Sequence, residues 1–417
     1  MEEPTDPPTG LLARWNAIPL YLRIVIALVL GIFAGLALGE RAHFMEIPSQ
    51  LILQLLGVLA PPLILVAVAH VLMTSEFGGK KAVRLFALLL LNTVVAIAIG
   101  LTVANTVQPG KWFDNDDAVE QASEEITGEG PNPVALLLDK VPKSILGPLA
   151  SRQNIIGVII IAVAFGIAMR GVKQREVATV QDLVEVAYET LLIVLHWIIQ
   201  LVPIGVFAIV AKVVGTEGFE PFKAMGVFVL AVMLALAIQA AWYLVRIQFF
   251  SWVKPLDVLR GVRDALIMAF STGSSTATMP VTYAALKDKV GLREESASMG
   301  SLVGANFNND GTALYEAMAA LFIAQMIGQD LTLAHQLIIV FTSIIASVGA
   351  AGIPEAGIVT MTLVFTAVRL PIEQIPLLLT VDWFLDRCRT TINVLGDVNV
   401  SCLLDGRTKA EPIAADA

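Results

Sequence analysis

The pattern of apolar and polar positions changes character near residue 250. Before it, apolar stretches approaching the 20 or so residues that span a bilayer run at Leu20–Leu38, 51–72, 82–107, 155–169 (with an amphipathic lead-in from Pro133), 191–214 and 222–249. Each predicts a spanning helix. After residue 250 the apolar segments continue, but Gly, Ser, Pro, Asn and Asp interrupt every one of them. "DALIMAFSTGSSTATMPVTYAAL" is apolar, then small and hydroxylic, then apolar again. It predicts a helical hairpin over 263–290 that enters and returns. "GSLVGANFNNDGTALYEAMAALFIAQ" predicts a helix over 295–328 broken in its middle. "LIIVFTSIIASVGAAGIPEAGIVTMTLVF" has a Gly/Pro-rich tip and predicts a second hairpin over 333–366. "IPLLLTVDWFLDRCRTTINVLGDVNVSCLL" predicts a long helix over 372–405 that carries buried charge.

The order hairpin, helix, hairpin, helix reads as an internal repeat. Each helix holds an asparagine followed by an aspartate: Asn308 with Asp310, and Asn393 with Asp397. Inverted repeats with broken helices are the sequence signature of secondary transporters that bind near the bilayer midplane. Unwound backbone at that depth is tolerated only where protein or a water-filled cavity surrounds it. The fold class expected is an all-α polytopic membrane protein with eight transmembrane helices and two re-entrant hairpins.

Composition supports the membrane reading. Of 417 residues, 56% are hydrophobic and 15% charged, against about 25% charged in soluble domains. The net charge of −9 gives no reason to expect a nucleic-acid partner. Loop charge orients the chain. "GGKKAVR", "RGVKQRE" and "VKPLDVLRGVRD" follow the second, fourth and sixth spans, while the acidic "KWFDNDDAVEQASEEITGEG" follows the third. Cytoplasmic termini place the basic loops inside and the acidic loop outside, in the inner (plasma) membrane of a prokaryote. Residues 1–19 then form an N-terminal tail rather than a signal peptide, and 406–417 a C-terminal one. Cys388 and Cys402 lie roughly 21 Å apart along a helix, beyond the ~7 Å reach of a disulfide. The histidines have no metal-ligand spacing. Phosphate-binding loops, dinucleotide fingerprints and hydrolase motifs do not occur in the sequence, so neither an enzyme nor a cofactor is expected.

The last helix carries chemistry on one face. Asp386, Arg389, Thr390, Asn393 and Asp397 fall within an arc of roughly 100° at 3.6 residues per turn. Asp386 and Arg389 could neutralise each other, since a buried charge left unpaired costs several kcal/mol. An acidic amino acid explains more of the stripe. Asp386 would take the ammonium and Arg389 the side-chain carboxylate through a bidentate fork. Asn393 and the hairpin-tip N–H groups would take the α-carboxylate. Asp397, Asn308, Asp310 and freed carbonyls would supply hard oxygen ligands to a small cation.

Four motifs in order resemble the glutamate transporter family, the dicarboxylate/amino acid:cation symporters. They are "STGSSTATMP", "NNDGTALYEA", "ASVGAAGIPEAG" and "VDWFLDRCRTTINVLGD"; "PIGVFAIVAKV" is similar to that family's fifth span. The resemblance covers the chain after residue 20. It implies a homotrimer in the lipid bilayer. Spans one, two, four and five would form a static scaffold. Spans three, six, seven and eight, with both hairpins, would move as an elevator, the second hairpin gating the outside. It implies substrate contacts at Ser274, Ser275, Thr312, Asp386, Arg389, Thr390 and Asn393, with backbone at Val348 and Gly352. The arginine of "DRCRT" marks the acidic-substrate version. The C4-dicarboxylate branch lacks the counterpart of Asp386. That branch is the alternative carrier reading, and an anion channel is a further one.

The resemblance also implies cation sites. One is intact at Gly304, Asn308, Asn393 and Asp397. A second uses second-hairpin backbone (Ser347, Val348, Ala350), with Asn306 and Asn309 standing where the family has threonine and methionine. A third uses a tyrosine and a Thr-Ser pair in the third span with Asn308 and Asp310. Here Leu89 takes the tyrosine's position and Asn92-Thr93 replace the pair. Glu316 stands where animal relatives carry a proton-coupling glutamate, and lipid depth disfavours a carboxylate's charge. A glutamate hydrogen-bonded inside the domain is its other reading. Glu355 is a second proton-carrier candidate, or a solvated tip residue. Sodium, reduced sodium and proton-only coupling all remain open on the sequence.

Overall fold

The computed structural model describes residues 20–45, 79–112, 178–216, 218–349 and 356–409, with single positions between them. Apart from such single positions, the spans expected at 51–72 and 155–169 lie outside the described residues, as does the tip at 350–355. Among the described residues the chain is helical and has no strand. Helix α1 is Leu20–Leu38, α2 Gly79–Val107, α3 Ala178–Ile199, α4 Val202–Thr216 and α5 Glu220–Phe250. Among the described residues three helical stretches, Leu22–Met45, Val83–Trp112 and Pro221–Phe250, are long and apolar enough to cross a membrane. Their outward side chains are apolar too. Phe33 is 66% exposed and Leu230 71% exposed, a surface suited to lipid or to another subunit rather than to water.

The single span expected over 191–214 is instead two helices, broken at Gln200–Leu201. Pro203 explains the break. It has no N–H to donate, and its ring would collide with the carbonyl one turn earlier. The break is used: Gln200 Oε1 accepts a hydrogen bond from Arg23 Nη2 of α1 at 2.5 Å. Helices α1 and α4 pack closely through glycines. A Cβ on Gly31 would stand 2.8 Å from Phe207 O, and one on Gly35 2.7 Å from Ala211 O. Small residues let apolar helices approach where lipid supplies no hydrophobic driving force.

Helix α6 (Pro255–Thr272) ends at Gly273, whose φ of 65° is left-handed, and Ser274 caps α7 (Ser275–Ala284) by accepting from Ala277 N at 3.1 Å. The two helices double back on each other. Lys289, just past α7, pairs with Asp264 of α6 at 2.6 Å, while Gly273 forms the turn at the far end. Helix α8 (Glu294–Ser298) widens into a π turn over Met299–Val303, then a 3-10 turn over Gly304–Asn306. The chain is non-helical from Phe307 to Asn309 before α9 (Asp310–Met326) begins. Residues 310–324 of α9 are buried all round, so this helix forms the centre of the molecule. Helices α10 (Leu333–Gly349) and α11 (Ala356–Ala367) pack side by side and against α9. Helix α12 (Ile375–Asp405) runs past α5, α6 and α9. Its end is pinned: Asp405 accepts from Trp252 Nε1 at 2.7 Å and Arg293 Nε at 3.0 Å. Cys388 and Cys402 are both buried and free.

Candidate functional site

The break before α9 and the polar face of α12 lie against each other. Asn308 Nδ2 donates to Asn393 O at 2.8 Å and to Asp397 Oδ1 at 2.9 Å. Asn393 Oδ1 accepts from Gly311 N at 2.8 Å, and its Nδ2 reaches Asn309 Oδ1 at 3.3 Å and Thr312 Oγ1 at 3.5 Å. Gly304 O holds the turn by accepting from Asn308 N at 2.8 Å. Gly396 makes the contact possible. A methyl there would collide with Asn308 Nδ2 and stand 2.9 Å from the Tyr243 hydroxyl. Asn308 Oδ1 is buried without a hydrogen-bond partner among the described residues. An orphaned buried acceptor is costly, and a cation beside Asp397 would satisfy it. Asp397, Asn308 and the carbonyls of Gly304 and Asn393 form an oxygen set that fits a hard cation. Among the described residues no group of three or more His, Cys, Asp or Glu side chains could hold a metal ion.

One turn away, Arg389 is 1% exposed. Its Nη1 pairs with Asp382 Oδ1 at 2.6 Å and its Nη2 with Asp386 Oδ1 at 2.8 Å. The guanidinium lies 4.0 Å from the centre of the Tyr315 ring. Tyr315 continues an aromatic column through Phe228 at 5.9 Å to Phe322, which stacks on Phe228 at 4.5 Å. This column fixes the height of the charge. A Cβ on Gly357 would stand 3.1 Å from Arg389 Nη2, so α11 walls the guanidinium closely. The Arg389 Nε–H has no partner among the described residues. The Asp386–Arg389 ion pair, an open alternative on the sequence, is therefore present, but a second carboxylate shares it. Two carboxylates share one guanidinium, and Arg387 lies within electrostatic reach of Asp386.

The tip joining α6 and α7 adjoins this pair. A Cβ on Gly273 would lie 3.1 Å from Asp386 Oδ2. Arg387 Nη1 donates to Phe270 O at 2.9 Å and also to Ser271 O, capping the end of α6 and holding the tip beside α12. Ser275, Thr312 and Thr390 are buried here.

A third cluster lies behind Asn308. Asp310 accepts from Thr93 Oγ1 at 2.7 Å and from the Tyr243 hydroxyl. Asn92 Oδ1 accepts from Arg246 Nη1. Glu316 is buried and accepts from Thr360 of α11. Of the remaining sequence candidates, Asn306, Ser347 and Val348 have described backbone only, and Ala350, Gly352 and Glu355 lie outside the described residues.

The sequence profile of the sodium:dicarboxylate symporter family matches residues 20–407. The chain belongs to that family. Within it, the rabbit (Oryctolagus cuniculus) excitatory amino acid transporter 3 is 28% identical over 94% of this chain and 86% of its own length. The Ambystoma tigrinum excitatory amino acid transporter 1 is 30% identical over 99% and 87%. The rabbit neutral amino acid transporter B(0) is 31% identical over 91% and 78%. The family is one of symporters, membrane proteins rather than enzymes.

Four residues of this family member's site were given no role by the sequence reading: Asp382 and Arg387, inside the last-helix motif, and Tyr243 and Arg246, outside every motif. Asp382 falls in the same arc of α12 as Asp386 and was legible from spacing. Arg387 is off that arc. Tyr243 and Arg246 come from α5, whose apolar sequence signals only a span.

Proposed function

We propose that the protein is a secondary symporter of acidic amino acids, carrying aspartate or glutamate with a cation. The observation that carries this reading is the sharing of Arg389 between two carboxylates, Asp382 and Asp386. Asp382 alone can balance the guanidinium, so Asp386 is free to exchange its partner for a substrate ammonium. Arg389 then offers its unpaired Nε–H and a released Nη2 to the side-chain carboxylate. The Asn393–Thr312 pair and the α6–α7 tip would take the α-carboxylate. A C4-dicarboxylate has no ammonium, and Asp386 would then repel it. A neutral substrate would leave the Arg389 Nε–H, which has no partner among the described residues, without an acceptor. The relatives, named for excitatory and for neutral amino acids, support an amino acid over a C4-dicarboxylate.

Sodium at Asp397 and Asn308 is the coupling ion this reading favours, with Glu316 as a candidate proton carrier. The α6–α7 and α10–α11 pairs would act as re-entrant hairpins and, with α2, α5, α9 and α12, move as an elevator against a trimeric scaffold containing α1 and α4. Both termini would be cytoplasmic, which the basic loops support.

Proteoliposomes loaded with buffer and given labelled aspartate or glutamate test this directly, with sodium and proton gradients imposed separately. Uptake driven by the sodium gradient is expected. Uptake of succinate in preference to both amino acids would overturn the substrate assignment, and uptake driven only by protons would overturn the sodium one. Asp386→Asn should lose amino acid binding by about tenfold or more, as removal of a charged partner does. Retained affinity would remove Asp386 from the pocket.

A further inference from the structure

The cluster around Asp310 does not fit a free cation. The resemblance implies an ion there, ligated by a third-span tyrosine and its neighbours. Leu89 occupies that tyrosine's position, buried against Phe307 and Val400, and offers no side-chain oxygen. What the cluster holds instead comes from α5. Tyr243 and Arg246, three residues apart and thus on one helix face, enter it together. The Tyr243 hydroxyl donates to Asp310, and Arg246 donates to Asn92, the neighbour of the Thr93 that also donates to Asp310. Arg246 is 5% exposed, and its charge lies near enough to act on Asp310. A guanidinium keeps its charge in any protein environment. Asp310, a buried carboxylate, is thus balanced by a charge covalently part of the chain.

The Asp397 cluster differs. Its carboxylate receives Asn308 Nδ2, and the amide oxygen of that same asparagine stays unsatisfied. A resident cation serves the Asp310 cluster, where Gln239 Oε1 and Asn92 Nδ2 have no partner among the described residues, while the Asp397 cluster is open to a mobile one.

We propose that Arg246 is a built-in substitute for a coupling cation: its guanidinium, held on Asn92 beside Asp310, supplies the positive charge there, so that transport needs one cation fewer than the oxygen set alone would bind. This rests on the symporter reading and assigns Arg246 as a determinant of ion stoichiometry. With Arg246 removed, Asn92 Oδ1, Thr93 Oγ1, the Tyr243 hydroxyl and Asp310 become a vacant set of hard oxygen ligands, which a small cation is expected to enter.

The test uses the purified full chain in detergent, wild type, Arg246→Gln and Arg246→Gln/Asp310→Asn, with sodium chloride replacing choline chloride at constant ionic strength. Thermal melting without substrate and binding of labelled aspartate are both read. Arg246→Gln should show a melting temperature that rises more steeply with sodium than the wild type. Its log affinity for aspartate against log sodium should steepen by about one unit, as one added bound cation requires. In the double variant both sodium effects should return to the wild-type slope, because the carboxylate charge has gone with the guanidinium. Parallel sodium dependences for wild type and Arg246→Gln would overturn the proposal. If Arg246→Gln fails to fold in choline, recovery of a cooperative melt by sodium or by the added Asp310→Asn supports it, and failure of both overturns it. The melting comparison needs no substrate. A wild type that binds no aspartate therefore defeats the substrate reading and leaves the Arg246 comparison to be decided by sodium alone.

Discussion

Replacing Arg389 with cysteine is expected to abolish uptake of acidic amino acids and to admit neutral ones. Removing one partner of a desolvated charge pair costs about 2–5 kcal/mol, or about 30- to 4,000-fold at 1.4 kcal/mol per tenfold. The loss has two parts that can be separated. One is substrate recognition. The other is the strain of leaving Asp382 and Asp386 (2.6 and 2.8 Å from the guanidinium) facing each other without it. Adding Asp382→Asn should relieve the second part and raise the melting temperature toward the wild type. It should not restore aspartate uptake, because no cation then meets the side-chain carboxylate. Labelled aspartate and serine uptake, read beside thermal melting, separates the two effects. Unchanged aspartate uptake in Arg389→Cys would remove the guanidinium from the substrate pocket.

The second large effect is expected at a residue with no side chain. A Cβ on Gly311 would stand 2.7 Å from Arg389 O and 3.0 Å from Arg389 Cα. Those are backbone atoms of a helix and cannot turn aside, so α9 and α12 must part. Parting also breaks the 2.8 Å hydrogen bond from Gly311 N to Asn393 Oδ1. Gly311→Ala should therefore destabilise the fold by about 1–3 kcal/mol, the usual range for overpacking. It should lower uptake by about tenfold or more, since the Arg389 and Asn393 contacts shift together. A wild-type melt with wild-type uptake would mean that the two helices slide apart freely, against the close approach seen here.

Much of the site was legible because its residues declare themselves locally. Asn308, Asp310 and Thr312 are polar inside an apolar run, where burial is expensive, and the break before α9 falls among them. Asn393 and Asp397 share a helical arc with Arg389, and that spacing alone put them on one face. Asp382 lay in the same arc and shows that the arc reaches one turn further back than Asp386. The break at Gln200–Leu201 was also written locally, in Pro203, although the unbroken hydropathy of 191–214 concealed it.

What the sequence by itself determined is the membrane class, the succession of continuous and interrupted helices, the polar stripe and the membership of a symporter family. All of these depend on composition, order and spacing within one segment. Only the tertiary structure decided that Arg389 is shared between two carboxylates over the Tyr315 ring, and that Tyr243 and Arg246 enter the Asp310 cluster from α5. The physical reason is that a helical period fixes which residues share a face, but not which face of a neighbour it meets. That second choice is made by the rotation and register of packed helices, set here by Gly311 and Gly396 on α9 and α12.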